Sequence, residues 1–126
     1  MMGQAAGTAP DAVPPGLEQL LLDPTRLTIL SLVSATNWCE FAFVRDHARL
    51  SDSALSKQLT TLGGAELVEI RKGYTGQRRR TWVRATAAGR ERLRAHLAAL
   101  QQIADRAEQA ATAHPDAEDE VGGDAQ

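Results

Sequence analysis

Between Leu50 and Arg84 the spacing of apolar residues changes once, and that change restricts the folds open to the chain. Leu55, Leu59 and Leu62 step by four and three, which gathers them within about 60° of one helical face. From Leu67 the period becomes two. Val68 and Ile70 alternate with Glu69 and Arg71, and Thr81 and Val83 share one face of the run RRRTWVR at 78–84. Gly73-Tyr74-Thr75-Gly76 between the two runs is turn material, its glycines suited to a tight tip. A short helix is thus followed directly by a hairpin. Ser53, Lys57, Thr60 and Thr61 stand opposite the leucines, so the helix has an apolar inner face and a small, hydrogen-bonding outer one. Ser51 or Asp52 supplies its N-cap.

The flanks are helical. Leu17, Leu20, Leu21 and Leu22 form a short turn jointed at Asp23. Asp23-Pro24 then gives an N-cap and a first helical position for a helix running to Ser34. Trp38-Cys39 fits a short edge strand, and Phe41, Val44 and Ala48 mark a second helix over 40–48. After Thr86, a plausible N-cap, the pattern is helical to about Thr112. There Leu93, Leu97, Leu100, Ala104, Ala107 and Ala111 step alternately by four and three, as in a heptad stripe. Such a helix is about 39 Å long, more than a small domain needs for its own core. The stripe therefore reads as a dimer interface, with Leu17, Leu20 and Leu21 beside it. The fold class is mainly α with a small β-hairpin (α+β): helix, helix, edge strand, helix, helix, hairpin, long helix.

Charge separates the ends from the middle. The formal net charge of −2, taken whole, argues against a nucleic-acid partner. Residues 113–126 carry Asp116, Glu118, Asp119, Glu120 and Asp124 and no Lys or Arg, and residues 1–16 carry Asp11 alone. The body between them, 17–112, holds +4, and within it 45–94 sets twelve Lys and Arg against five acids. The Pro-rich first sixteen residues and the acidic last fourteen read as disordered arms around one domain.

Other classes are excluded. No apolar run approaches the ~20 residues that cross a bilayer, and the N-terminus lacks a secretory pattern, so the chain reads as cytoplasmic. The single Cys39 forbids an intrachain disulfide and multi-thiolate zinc sites; it reads as a small buried hydrophobe. His47, His96 and His114 have no metal-ligand spacing with it, so neither metal nor cofactor is expected. No nucleophile–base pair, acid pair or Gly-rich phosphate loop stands at usable spacing, which argues against an enzyme. Only five aromatics (Trp38, Phe41, Phe43, Tyr74, Trp82) are present, so the core should be small and aliphatic.

The run LSDSALSKQLTTLGGAELVEIRKGYTGQRRRTWVRATAAGR (50–90) resembles the core of the short MarR-like winged-helix transcriptional regulators. LDPTRLTILSLV (22–33) and EFAFVRD (40–46) are similar to the helices before that core, so the resemblance covers about 22–100. It implies a winged helix-turn-helix homodimer that binds duplex DNA and represses or tunes transcription. A small-molecule effector is left open by it. By the resemblance, Ser53, Ser56 and Lys57 fall on recognition-helix positions (about 52–63), and Lys72, Arg78, Arg79 and Arg80 on the wing.

Residue chemistry points the same way. Short side chains at Ser53, Ala54, Ser56, Thr60 and Thr61 let a helix approach base edges in a major groove about 12 Å wide, and Lys57 supplies charge for a phosphate or a guanine edge. Six bases and no acid lie in 71–84. Alternation sends Arg78 and Arg80 to one face and Arg79 to the other, which suits a flanking backbone or narrowed minor groove. The rival reading is a winged helix used as a protein-interaction module, which has little need of six uninterrupted bases.

The chain departs from the family where relatives have Leu-Glu-x-Ala-Gly-Leu-Val. It has Leu62-Gly63-Gly64-Ala65-Glu66-Leu67-Val68, with Glu66 at the usual glycine. A left-handed Glu66 costs roughly 1 kcal/mol, and Gly63 and Gly64 weaken the helix by about as much again each. The sequence therefore predicts a recognition helix that frays or ends early, turning at Gly63-Gly64. Gln58 stands where the family commonly has His.

Overall fold

The computed structural model describes residues 13–114; the two arms expected from composition lie almost wholly outside that range. One turn of 3-10 helix, Gln19–Leu22, leads into α1, Pro24–Ser34. β1 (Cys39–Glu40), α2 (Phe41–Ala48) and α3 (Asp52–Gly64) follow, then β2 (Val68–Thr75), β3 (Arg78–Ala85) and α4 (Ala87–Ala113). The strands form an antiparallel sheet in the order β1-β3-β2.

The helix starts are those the sequence marks. Asp23 accepts from the Arg26 amide at 3.1 Å, Ser51 Oγ from the Ala54 amide at 3.1 Å, and Thr86 Oγ1 from the Gly89 amide at 2.8 Å. Of the two cap candidates for α3 it is Ser51 that caps, which leaves the Asp52 carboxylate for other partners. α2 ends on Arg49 at φ 59°, and only Arg49, Leu50 and Ser51 separate it from α3.

The core is aliphatic, as composition requires. Ile29, Leu30, Val33, Val44, Leu55, Leu59, Leu62, Leu67 and Val83 are all buried and form one cluster. Leu21 and Leu93, expected at a dimer seam, belong to it too, at 1% and 8% exposure. That expectation is corrected for these two: the 3-10 turn and the first turns of α4 close over α1, so both side chains are used within one protomer. Chain ahead of Leu17 packs as well. Pro14 is fully buried, and Gly16 at φ 107° lies against the Ala95 carbonyl. The Glu18 amide donates to Nδ1 of the buried His96 at 3.0 Å. The folded body therefore begins before residue 17.

The end of α3 differs from expectation. The helix runs through Gly63 and Gly64, Ala65 caps it, and Glu66 takes the left-handed conformation at φ 63°. The Leu67 amide reaches back to the Leu62 carbonyl at 3.0 Å and the Glu66 amide to that of Gly63 at 2.9 Å, the paired bonds of a Schellman turn. The reason is burial. Leu62 and Leu67, at 0% and 1% exposure, are the apolar pair such a turn brings together. A turn at Gly63-Gly64 would lose that pairing, which outweighs the strain at Glu66. Thr86 Oγ1 fastens the turn by donating to the Glu66 carbonyl at 2.8 Å. Gln58 also has a role here: it accepts from Arg26 Nη1 at 3.1 Å, while Arg26 Nε holds the Leu20 carbonyl at 2.8 Å. One arginine thus ties α1, the 3-10 turn and α3 together.

Candidate nucleic-acid interface

α3 turns Leu55, Leu59 and Leu62 inward and leaves Ser53, Ser56, Lys57, Thr60 and Thr61 exposed; Ala54 is half-buried at the margin. Thr60 and Thr61 donate their hydroxyls to the carbonyls of Ser56 and Lys57, at 3.0 and 3.3 Å. Both hydroxyls are thereby held against the helix backbone, which keeps this face low around Lys57. Asp52 begins this face and is gripped by Arg45 at 2.9 Å, the same guanidinium that holds Asp46. The two carboxylates, Asp46 first, raise the Arg45 pKa further above its ordinary value, and Arg45 holds the Asp46 carboxyl below its own.

The hairpin is longer than the sequence suggests. Thr75 still pairs with Arg78, so the turn is Gly76-Gln77 alone, with Gly76 at φ 65°. Gly73, expected in the turn, lies in β2, where the Trp82 ring covers it; a Cβ there would sit 3.3 Å from the ring. The register places Arg78 and Arg80 on one face and Arg79 on the other, as alternation requires.

Three of the six wing bases are already engaged. Arg71 and Arg84 lie over the Trp38 ring, 4.3 and 4.6 Å from its centroid, and Arg84 also bonds Glu69 at 2.7 Å. Arg80 donates to Glu40 at 2.7 Å. Lys72, Arg78 and Arg79 form no ion pair among the described residues. Between wing and α3 runs a cleft of about 510 Å³, with Ser56 and Thr60 on one wall and Lys72, Arg78 and Arg79 on the other. Glu40 and Asp52 line it as well. The sequence offered no sign of Glu40, Trp38 or Arg45 as partners of this surface, because each meets it through a register or a turn that local spacing does not specify.

Away from the cleft, α4 is divided. Leu93, His96 and Ala99 are buried, whereas Leu97, Leu100 and Ile103 are 46%, 37% and 42% exposed, and every residue from Leu100 to Ala113 is exposed. Ala104 and Ala107 lie on that uncovered half; Leu17 and Leu20 are half-buried near its start. Ile103 belongs to the exposed apolar surface, although the heptad reading passed over it. Among the described residues no three His, Cys, Asp or Glu side chains are grouped to hold a metal ion, and no helix is long and apolar enough to cross a membrane.

A helix-turn-helix whose second helix lies beside a cationic two-stranded wing defines the winged-helix class. The chain belongs to the winged helix DNA-binding domain family, whose model matches residues 25–104. It is similar to a transcriptional regulator homologue from Pyrococcus horikoshii OT3 at 25% identity and TM-score 0.65, over 70% of this chain and 87% of that one. A zinc-responsive MarR family member, ZitR of Lactococcus lactis, has the same fold at 19% identity and TM-score 0.53, over 98% and 84% of the two chains. So does the PcaV transcriptional regulator of Streptomyces coelicolor, solved with its natural ligand, at 20% identity and TM-score 0.56, over 99% and 89%. No curated protein sequence matches the chain significantly. Family and fold together make it a winged-helix DNA-binding domain.

Proposed function

We propose that the chain is a homodimeric, sequence-specific reader of duplex DNA that acts as a repressor. α3 lies in the major groove through Ser53, Ala54, Ser56, Lys57, Thr60 and Thr61, and Lys72, Arg78 and Arg79 hold the flanking backbone or minor groove. The observation that carries this reading is the cleft: a smooth hydroxyl-bearing helix face and three bases without acid partners among the described residues share its walls. Bases so placed attract phosphate, and short side chains admit base edges. Dimerisation is supported by the exposed Leu97, Leu100 and Ile103 on a helix whose second half, among the described residues, is left uncovered. The likeness to PcaV supports adding a small-molecule effector to the proposal.

Selection of bound duplexes from a random pool tests the reading. A two-fold reader returns paired half-sites about 34–36 Å apart, one helical turn of DNA or a multiple of it. A pool that stays random, with no loss of binding on adding salt, would favour the protein-interaction alternative.

A further inference from the structure

We infer that Glu40 is a positioning residue of the wing, acting through Arg80, so that Arg80 serves as a strut of the hairpin and is not one of its DNA-holding bases. The inference rests on the DNA-binding reading above and goes beyond it by dividing the arginine triplet into two jobs.

The sheet shows why a strut is needed. β1 pairs with β3 at only two places, Cys39 with Val83 and Glu40 with Trp82. From Thr81 to the turn, that edge of β3 has no neighbouring strand among the described residues, so the outer hairpin projects as a lever. Four residues beyond Trp82 it reaches about 13 Å. A tilt of about 10° at the root therefore moves its tip by about 2 Å, enough to break a 2.9 Å hydrogen bond to phosphate. Arg80 lies two residues beyond Trp82 on the same sheet face as Glu40, and its Nη1 donates to Glu40 Oε1 at 2.7 Å across 40 residues of sequence. Among the described residues this is the ion pair nearest the wing tip that joins it to the helical body.

Both partners are shaped for this contact. Glu40 is the N-cap residue of α2, yet its side chain makes no capping bond. Its carboxylate is held instead by the Arg80 guanidinium. Arg80 is half-buried, and its Nε is buried with no hydrogen-bond partner among the described residues. Moving Arg80 to a phosphate would leave the Glu40 carboxylate unpaired in the cleft and facing that phosphate, a like-charge contact. The pair therefore persists on DNA, and Lys72, Arg78 and Arg79 carry the phosphate attraction.

Salt dependence separates a strut from a DNA contact, because each lost phosphate contact lowers the slope of log K against log salt by about 0.9. The variants are Arg79→Ala, Arg80→Ala, Arg80→Lys, Glu40→Gln and Glu40→Gln with Arg80→Ala, titrated on one duplex between about 50 and 200 mM salt. Arg79→Ala is expected to lower the slope by about 0.9 per protomer. Arg80→Ala and Glu40→Gln should each weaken binding roughly tenfold with the slope unchanged, the double variant should be no weaker than either, and Arg80→Lys should recover part of the loss. Amide exchange over residues 72–79 of the free protein should quicken in Glu40→Gln and Arg80→Ala alike and stay unchanged in Arg79→Ala. A slope lowered by Arg80→Ala as by Arg79→Ala, tighter binding by Glu40→Gln, or unchanged exchange in the free variants overturns the strut. A wild-type chain that binds no duplex overturns the DNA reading instead, and the exchange measurement still decides whether the strut exists.

Discussion

Gly89, in the first turn of α4, packs directly on the backbone of Leu67: a Cβ built on it would overlap the Leu67 carbonyl oxygen. That oxygen already accepts from the Thr86 amide at 3.0 Å, so it cannot move aside without losing the bond that anchors the start of α4. Three features meet there: the Schellman turn after α3, the foot of the hairpin and the N-terminus of the long helix. Gly89→Ala is expected to cost about 3 kcal/mol, the upper part of the range for forcing atoms into a packed interior. Urea denaturation measures it; a loss under 1 kcal/mol would show that the two backbones separate easily.

The turn after α3 gives substitutions of opposite sign. Glu66 holds φ 63°, so Glu66→Gly should stabilise the fold by about 1 kcal/mol by removing a Cβ from the left-handed region. Gly63 and Gly64 are helical with open space where a Cβ would go, so Gly64→Ala should add about 0.5–1 kcal/mol. Thermal denaturation of the two variants checks both, each kcal/mol raising Tm by about 4–8 °C. A Glu66→Gly protein less stable than the parent would mean that the Glu66 side chain contributes something beyond its backbone shape.

These residues also show what the sequence could and could not disclose. Helix starts at Asp23, Ser51 and Thr86 were legible because a cap acts on amides two or three residues away. The apolar inner face of α3 and the alternation of Arg78, Arg79 and Arg80 are legible for the same reason, being local periods. The end of α3 was misread because Gly63-Gly64 favours a turn locally, whereas the pairing of Leu62 with Leu67 decides it through the core. Local composition puts Gly73 in the turn because its pairing with Arg80, and the Trp82 ring that covers it, are fixed only by register. The α4 stripe merged two neighbouring faces. Leu93 faces its own protomer and Leu97 and Leu100 do not, a distinction that depends on where α1 and the 3-10 turn close over the helix.

The uncovered half of α4 sets a test for the dimer. Leu97→Glu with Leu100→Glu places charge on side chains that are exposed in the protomer, so Tm of the isolated protomer should change little. In a dimer the same charges would be desolvated against apolar neighbours, at a cost of several kcal/mol. Sedimentation should therefore show a dimeric parent and a monomeric variant, and the monomer should bind a paired half-site far more weakly. A parent that sediments as a monomer at micromolar concentration removes dimerisation from the proposal.

Sequence preference should reside in α3 and general affinity in the wing. Lys57 projects from the exposed face of the helix and, among the described residues, joins no ion pair, so its ammonium is available to a base edge or a phosphate. Arg78 and Arg79 stand near the tip of a projecting hairpin, where one duplex backbone resembles another. Lys57→Ala should therefore weaken a selected site by about 1–3 kcal/mol, leave random duplex nearly unaffected and relax the preference at one position. Arg78→Ala with Arg79→Ala should weaken selected and random duplex together and flatten the salt dependence. Titrating both proteins against both duplexes at two salt concentrations separates the roles, because a base contact alters the ratio of the two affinities and a phosphate contact alters their common level. If Lys57→Ala lowers both affinities equally and flattens the salt slope, Lys57 is a phosphate anchor, and base reading must then fall to the short side chains of the same face, Ser53, Ala54, Ser56, Thr60 and Thr61.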